Sequence, residues 1–204
     1  MIFKYRKEDL TYLAQRDPKL GRVIEAAGPL KPEVSADLFE TMVTNILSQQ
    51  ISNAAFQNIK KRFYAEFHPF DAGKLSGASE EQMKKLGVSR QKASYIIGLA
   101  RKIKEGGLDL EALRHMDDEA VVEALLPIKG IGPWSAKMLL LFGLHRPDVL
   151  IMEDLGVRNG ICLLHSLNDI PRRRYQHYIK LYSPCGSLAS FYLWKVANEK
   201  IRLD

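Results

Sequence analysis

From Asp37 to the C-terminal region, apolar residues recur at spacings of three and four, and the stretches they mark are separated by short clusters of Gly, Pro, Ser and Asp. That period gathers apolar side chains on one face of a helix, so the chain can bury them only by packing helix against helix. Phe39, Met42, Val43, Ile46 and Leu47 follow Asp37, a favoured N-cap residue, and predict a helix over 38–50. Ser52 opens a second, with Ala55, Phe56, Ile59 and Phe63 on its apolar face, ended by the Pro and Gly of HPFDAG. Ser79 and Gln82 have capping-box spacing for a short helix closed by Gly87, and Ser89 opens one that carries Ala93, Ile96, Ile97 and Ala100 as far as Gly106-Gly107. Asp117 or Asp118 caps a helix through Leu125 and Leu126. Pro127 and KGIG interrupt it before Pro133, a first-turn proline, resumes it as WSAKMLLLFGL. Further on, Asp154 caps 155–165, Pro171 opens a helix to about Tyr182, and Ser187 caps the last one. Only VLIM at 149–152 suggests extended structure, so the expected fold class is all-α.

Composition narrows the partners. The 204 residues, 46% of them hydrophobic, suffice for one compact domain of one or two lobes. Thirty Lys+Arg against 24 Asp+Glu give a net charge of +6, which favours an anionic partner such as nucleic acid, although a solvated charged face produces the same balance. Cys162 and Cys185 stand far apart without C-x-x-C spacing, which excludes a zinc site or a four-cysteine iron–sulfur cluster and suits buried small hydrophobes. The segment MIFKYRKEDLTYLAQRD lacks the apolar core of a signal peptide, and no stretch approaches the ~18 apolar residues of a membrane span. A soluble protein in a reducing, intracellular setting is expected.

In LPIKGIGPWSA, Gly130 and Gly132 remove Cβ atoms that would obstruct a left-handed turn, and the helix that starts at Pro133 presents unpaired N–H groups. Such a turn can grip a phosphate without reading a base sequence. Alone, G-x-G fits an ordinary helix–helix turn equally well.

The context is more specific. FETMVTNILSQQISNAAFQNIKKRF, LGVSRQKASYIIGLA, KGIGPWSA, DVLIMEDLGVRNG and SLASFYLW follow one another in that order. Together they resemble the helix-hairpin-helix DNA glycosylase superfamily, nearest its alkylbase (3-methyladenine) glycosylase II type, over almost the whole chain. The resemblance implies a two-lobed helical fold: a central lobe of about 38–144 with its hairpin at 126–136, a terminal lobe of 1–37 plus 145–204, and an active-site cleft between them. It implies that Asp154 is the catalytic carboxylate, with neighbouring Glu153 structural. Gly130, Gly132 and Ser135 match positions whose amides bind DNA phosphate, and Lys129, before the glycines, falls on the same side. Gln49 and Gln50 match the DNA-facing helix junction, with Gln50 as the wedge that fills the gap left by a flipped base. Trp194 matches the aromatic that stacks on that base, and Trp134 lies beside the pocket. No cofactor is required. The backbone carbonyls of Leu126, Ile128 and Ile131 match positions that hold a structural monovalent cation. The implied partner is double-stranded DNA containing alkylated bases, met by a monomer.

Two departures sharpen this. The lyase-competent branch carries a lysine two residues after the second hairpin glycine, and here that residue is Trp134, so the Schiff-base nucleophile is missing. Lys129 stands where the family usually has proline. The implied activity is therefore monofunctional hydrolysis of the N-glycosidic bond of a methylated base, as in base excision repair. A non-catalytic helix-hairpin-helix DNA-binding or damage-sensing module is the alternative; it would keep the hairpin but would have no use for the carboxylate and the stacking aromatics. Asp154 also suits a plain N-cap, and Arg172, Arg173 and Arg174 fit either a solvated face or a DNA contact.

Overall fold

Two helices precede the first one that periodicity predicts. In the computed structural model, which describes residues 1–199 and 201, α1 (Lys7–Arg16) and α2 (Pro18–Ala27) meet at Asp17. The Asp17 carboxylate accepts the amides of Lys19 and Leu20 and caps α2, whose Pro18 supplies a pre-set first turn. Next come α3 (Leu38–Ser48), α4 (Asn53–Phe67), α5 (Ala72–Ser76), α6 (Glu80–Lys85), α7 (Arg90–Lys104), α8 (Leu110–His115), α9 (Asp118–Leu125) and α10 (Pro133–Phe142). Asp37, Ser52, Ser79, Ser89 and Asp117 each accept an amide of the first turn they precede. The short α5 and α8, capped by Asp71 and Asp109, have too few residues to display a period. Helix α3 stops two residues before its expected end because Gln50 turns to φ +54.

The chain closes with α11 (Leu155–His165), a 3-10 turn over Arg172–Arg174, α12 (Tyr175–Tyr182) and α13 (Gly186–Glu199). Three expectations are corrected here. The helix from Pro171 begins as the 3-10 turn and becomes α-helical only at Tyr175. Ser187 lies inside α13, fully buried, where its hydroxyl donates to the Arg146 carbonyl and accepts the Val149 amide; the first-turn amide of Gly186 is instead accepted by Asp148 Oδ1 at 3.1 Å. Val149, Leu150, Ile151 and Met152 form no strand. The run is apolar because all four are buried in an irregular segment that turns at Met152, and the only bridge pairing among the described residues joins Ile2 and Glu33.

These helices form two compact units, Met1–Val34 with His145–Asp204, and Ser35–Leu144. In the first, α11 and α13 pack along each other over a core that includes Leu13, Leu20, Val157, Ile161, Tyr182 and Leu193. In the second, Ile46, Leu47, Phe63, Ile96, Leu125 and Leu139 are buried, each such side chain contributing about 1.5–3 kcal/mol by leaving water. Cys185 is buried and Cys162 half-buried; both are free thiols, and burial pushes each above its ordinary pKa. Among the described residues no helix is long and apolar enough to cross a membrane.

Candidate active site and hairpin

In the first unit the site is built around the start of α11. The Asp154 amide donates to the Ile151 carbonyl at 2.9 Å, closing a turn that delivers the residue to the N-cap position. Arg158, one helical turn on, reaches back with Nη1 to the carbonyls of Met152 at 3.0 Å and Glu153 at 3.2 Å, so the loop is stapled to its own helix. Asp154 Oδ1 then accepts two donors: the Val157 amide at 3.0 Å and the indole Nε1–H of Trp194 at 2.7 Å. A carboxylate held this way has a fixed direction. Asp154 is half-exposed, and beside it the apolar Leu155 is 61% exposed.

Trp194 reaches Asp154 because α13 approaches α11 unusually closely. A Cβ on Gly156 would lie 2.7 Å from Trp194 Cδ1, and one on Gly160 would lie 2.2 Å from the Leu193 carbonyl oxygen. Only glycine fits at either place. The half-buried indole continues an aromatic row, 5.7 Å from the Phe191 ring, which is itself 5.2 Å from Phe3. Sequence reading missed Gly156, Gly160 and Arg158. The signal was present in MEDLGVRNG, where two glycines four residues apart mark one face of a helix.

The second unit carries the hairpin. Gly130 has φ +89, and a Cβ there would fall 2.4 Å from the Tyr95 ring, so glycine is required twice over. Gly132 differs from expectation: its φ is −108 and a Cβ would meet open space. Gly132 is the N-cap of α10, where no side chain caps the helix and Pro133 has no N–H. Lys129 and Leu126 are exposed, Trp134 is half-buried, and Ile128 and Ile131 are buried, the Ile131 amide donating to the Ile128 carbonyl at 3.0 Å.

The two glutamines part company. Gln50 is exposed. Gln49 points its amide inward, Nε2 donating to the Gly130 carbonyl at 2.8 Å and to the hydroxyl of buried Ser135 at 3.0 Å. Thus Asp154 and Trp194 meet in one unit. Gln49, Gln50, Lys129, Gly130, Gly132, Trp134 and Ser135 gather in the other, with Leu126, Ile128 and Ile131 in the hairpin itself. Among the described residues no group of three or more His, Cys, Asp or Glu could hold a metal.

Residues 43–184, well over half of the chain, match the family described as HhH-GPD superfamily base excision DNA repair protein. The chain belongs to this superfamily. It is similar to the putative DNA-3-methyladenine glycosylase YfjP of Bacillus subtilis, 32% identical over 167 residues that cover 78% of this chain. It is similar also to DNA-3-methyladenine glycosylase 1 of Schizosaccharomyces pombe, 29% identical over 198 residues that cover 92% of this chain. The chain spans 58% of the length of the first and 86% of the second. Its fold superposes on the S. pombe 3-methyladenine DNA glycosylase Mag1, solved in complex with abasic DNA, with a TM-score of 0.87 at 28% identity, covering 94% of this chain and 97% of that one.

Proposed function

We propose that this HhH-GPD chain is a monofunctional DNA glycosylase that hydrolyses the N-glycosidic bond of alkylated, chiefly methylated, bases in duplex DNA inside the cell. The observation that carries the reading is the Asp154 carboxylate, fixed by Trp194 and Val157 at the N-terminus of α11. A positively charged methylated purine is already a good leaving group, so the demand on the protein is to stabilise the sugar. A carboxylate of fixed direction does this for an oxocarbenium-like transition state, and it can orient the water that attacks. The base must first leave the stack, and the exposed Gln50 is the candidate side chain to fill the gap it leaves. Gly130, Gly132, Lys129 and the uncapped start of α10 hold backbone phosphate, a contact that carries no sequence information and suits scanning.

The half-buried ring of Trp194, beside Asp154, is the face for a cationic base, an attraction worth about 2 kcal/mol once desolvated, and Trp134 is the candidate aromatic of the other unit. Trp134 in place of a lysine leaves no amine there for a Schiff base, and strand cleavage then needs added alkali or heat. The carbonyls of Leu126, Ile128 and Ile131 would be the oxygen donors for a hard monovalent cation that would offset phosphate charge; one lone pair of the Ile128 oxygen already serves the Ile131 amide.

The test is to incubate the purified protein with N-methylated duplex and identify the released bases by chromatography, with a borohydride trapping arm alongside. Free 3-methyladenine or 7-methylguanine with no trapped adduct supports the reading. A covalent adduct would establish a lyase, and duplex binding without base release would leave a DNA-binding module.

A further inference from the structure

One side chain joins the exposed turn after α3 to the hairpin before α10. Gln49 is the C-cap of α3, and its Nε2 bridges the Gly130 carbonyl in the turn and the Ser135 hydroxyl in the first turn of α10. Both amide hydrogens are therefore spent inside the protein. The next residue, Gln50, is exposed and held at φ +54, a left-handed backbone that a residue with a Cβ adopts at a cost.

The same region is fixed a second way through α7. Lys92 Nζ donates to the Leu47 carbonyl at 2.8 Å, and burial lowers the pKa of that ammonium, as expected of a cation drawn down to cap a helix end. Tyr95, on the same face of α7, lies against Gly130. The Gln50 turn is tied directly to the hairpin by Gln49 and indirectly by Lys92 and Tyr95.

We propose that Gln49 is a positioning residue that holds the Gln50 turn in register with the hairpin, so that gripping the DNA backbone and inserting Gln50 into the base stack are the action of one rigid body. The proposal rests on the glycosylase reading above. Its physical basis is that insertion works against stacking, which costs a few kcal/mol per step. A side chain on a loose turn retreats from the stack. A side chain braced against groups already anchored on phosphate cannot. Gln49 supplies the brace without touching DNA.

The test uses the full chain and a duplex with a tetrahydrofuran abasic analogue flanked by 2-aminopurine, whose fluorescence reports a side chain inserted beside the gap. Gln49→Leu keeps the volume and removes both donors; Gln49→Asn, one methylene shorter, serves as the second variant should the first melt early. For either, affinity for undamaged duplex should stay within about twofold and its salt slope unchanged, whereas the fluorescence change at saturation and single-turnover base release should fall about tenfold. Release from a damaged base placed unpaired in a bulge, already unstacked, should recover most of that loss. Binding of undamaged duplex that weakens as much as base release would make Gln49 a DNA contact and overturn the proposal, as would an undiminished fluorescence change. Wild-type protein that gives the fluorescence change but releases no base would overturn the glycosylase reading alone, leaving the fluorescence arm to decide the role of Gln49.

Discussion

Trp194 donates its indole N–H to Oδ1 of Asp154 at 2.7 Å, sharing that oxygen with the Val157 amide. A tryptophan that sequence reasoning assigns to stacking on a base is thus also the group that aims the carboxylate. The two roles separate on substitution. Trp194→Phe keeps an aromatic face and loses the N–H, so binding of abasic-site DNA should hold while single-turnover base release falls about 10–100-fold, the range for a charge-assisted hydrogen bond of about 1.5–3 kcal/mol. Unchanged release by the phenylalanine variant would reduce Trp194 to stacking.

The hairpin glycines should respond oppositely. Gly130→Ala forces a Cβ onto a backbone at φ +89 and into the Tyr95 ring, so melting should fall by more than the ~1–2 kcal/mol of left-handed strain alone. Gly132→Ala meets no protein atom within 4 Å and loses only the small preference for glycine over alanine at an N-cap, so its melting temperature should fall much less. If the proposed phosphate contact is made there, its Cβ would crowd the phosphate, and duplex affinity should drop for damaged and undamaged DNA alike. Equal melting of the two variants would contradict this division.

Lys129 is exposed next to the glycines. If it neutralises one phosphate, Lys129→Ala should lower the slope of log affinity against log salt by about one unit for any duplex sequence. An unchanged slope would place Lys129 off the DNA.

Asp17 predicts how the first unit fails in acid. It is buried, and burial pulls its pKa up. Hydrogen bonds from His165 at 3.0 Å and Tyr182 at 2.7 Å, the His165 charge and the Leu20 amide together outweigh that and hold it below the ordinary 3.8. A carboxyl depressed in the folded state contributes stability that is present above 3.8 and is lost as pH falls through the lower folded value. Asp17→Asn should therefore cost about 2–3 kcal/mol at neutral pH and flatten the acid limb of a stability–pH curve, followed by chemical denaturation. An acid limb of undiminished steepness would assign the loss to other carboxylates.

Much of the fold could be read from the chain because the helices advertise themselves. Asp37, Ser52, Ser79, Ser89 and Asp154 are local caps, and a cap is a relation between residues two or three apart. What sequence reading missed depends on distance in space. Asp148 caps α13 across a loop, Ser187 is buried by neighbours 38 to 41 residues away, and charged α1 and α2 declare no apolar stripe until Leu13, Leu20 and Val23 find partners elsewhere in their unit. The same holds at the candidate site. Asp154, Gly130 and Gln50 stand out in their motifs, whereas the inward turn of Gln49 and the Trp194–Asp154 bond join segments 81 and 40 residues apart.

The measurement that bears most directly on the account is single-turnover base release from methylated duplex by Asp154→Asn, with a thermal melt of the same preparation. The amide oxygen can still accept from Trp194 and Val157, so the fold and the N-cap should persist and affinity for damaged DNA should barely change. Only the negative charge is lost, and if it stabilises the sugar as proposed, release should slow on the order of 10²–10³-fold, as for removal of one preorganised electrostatic group. Near-normal release by a well-folded Asp154→Asn protein would contradict the account and move the search for the carboxylate to Glu153.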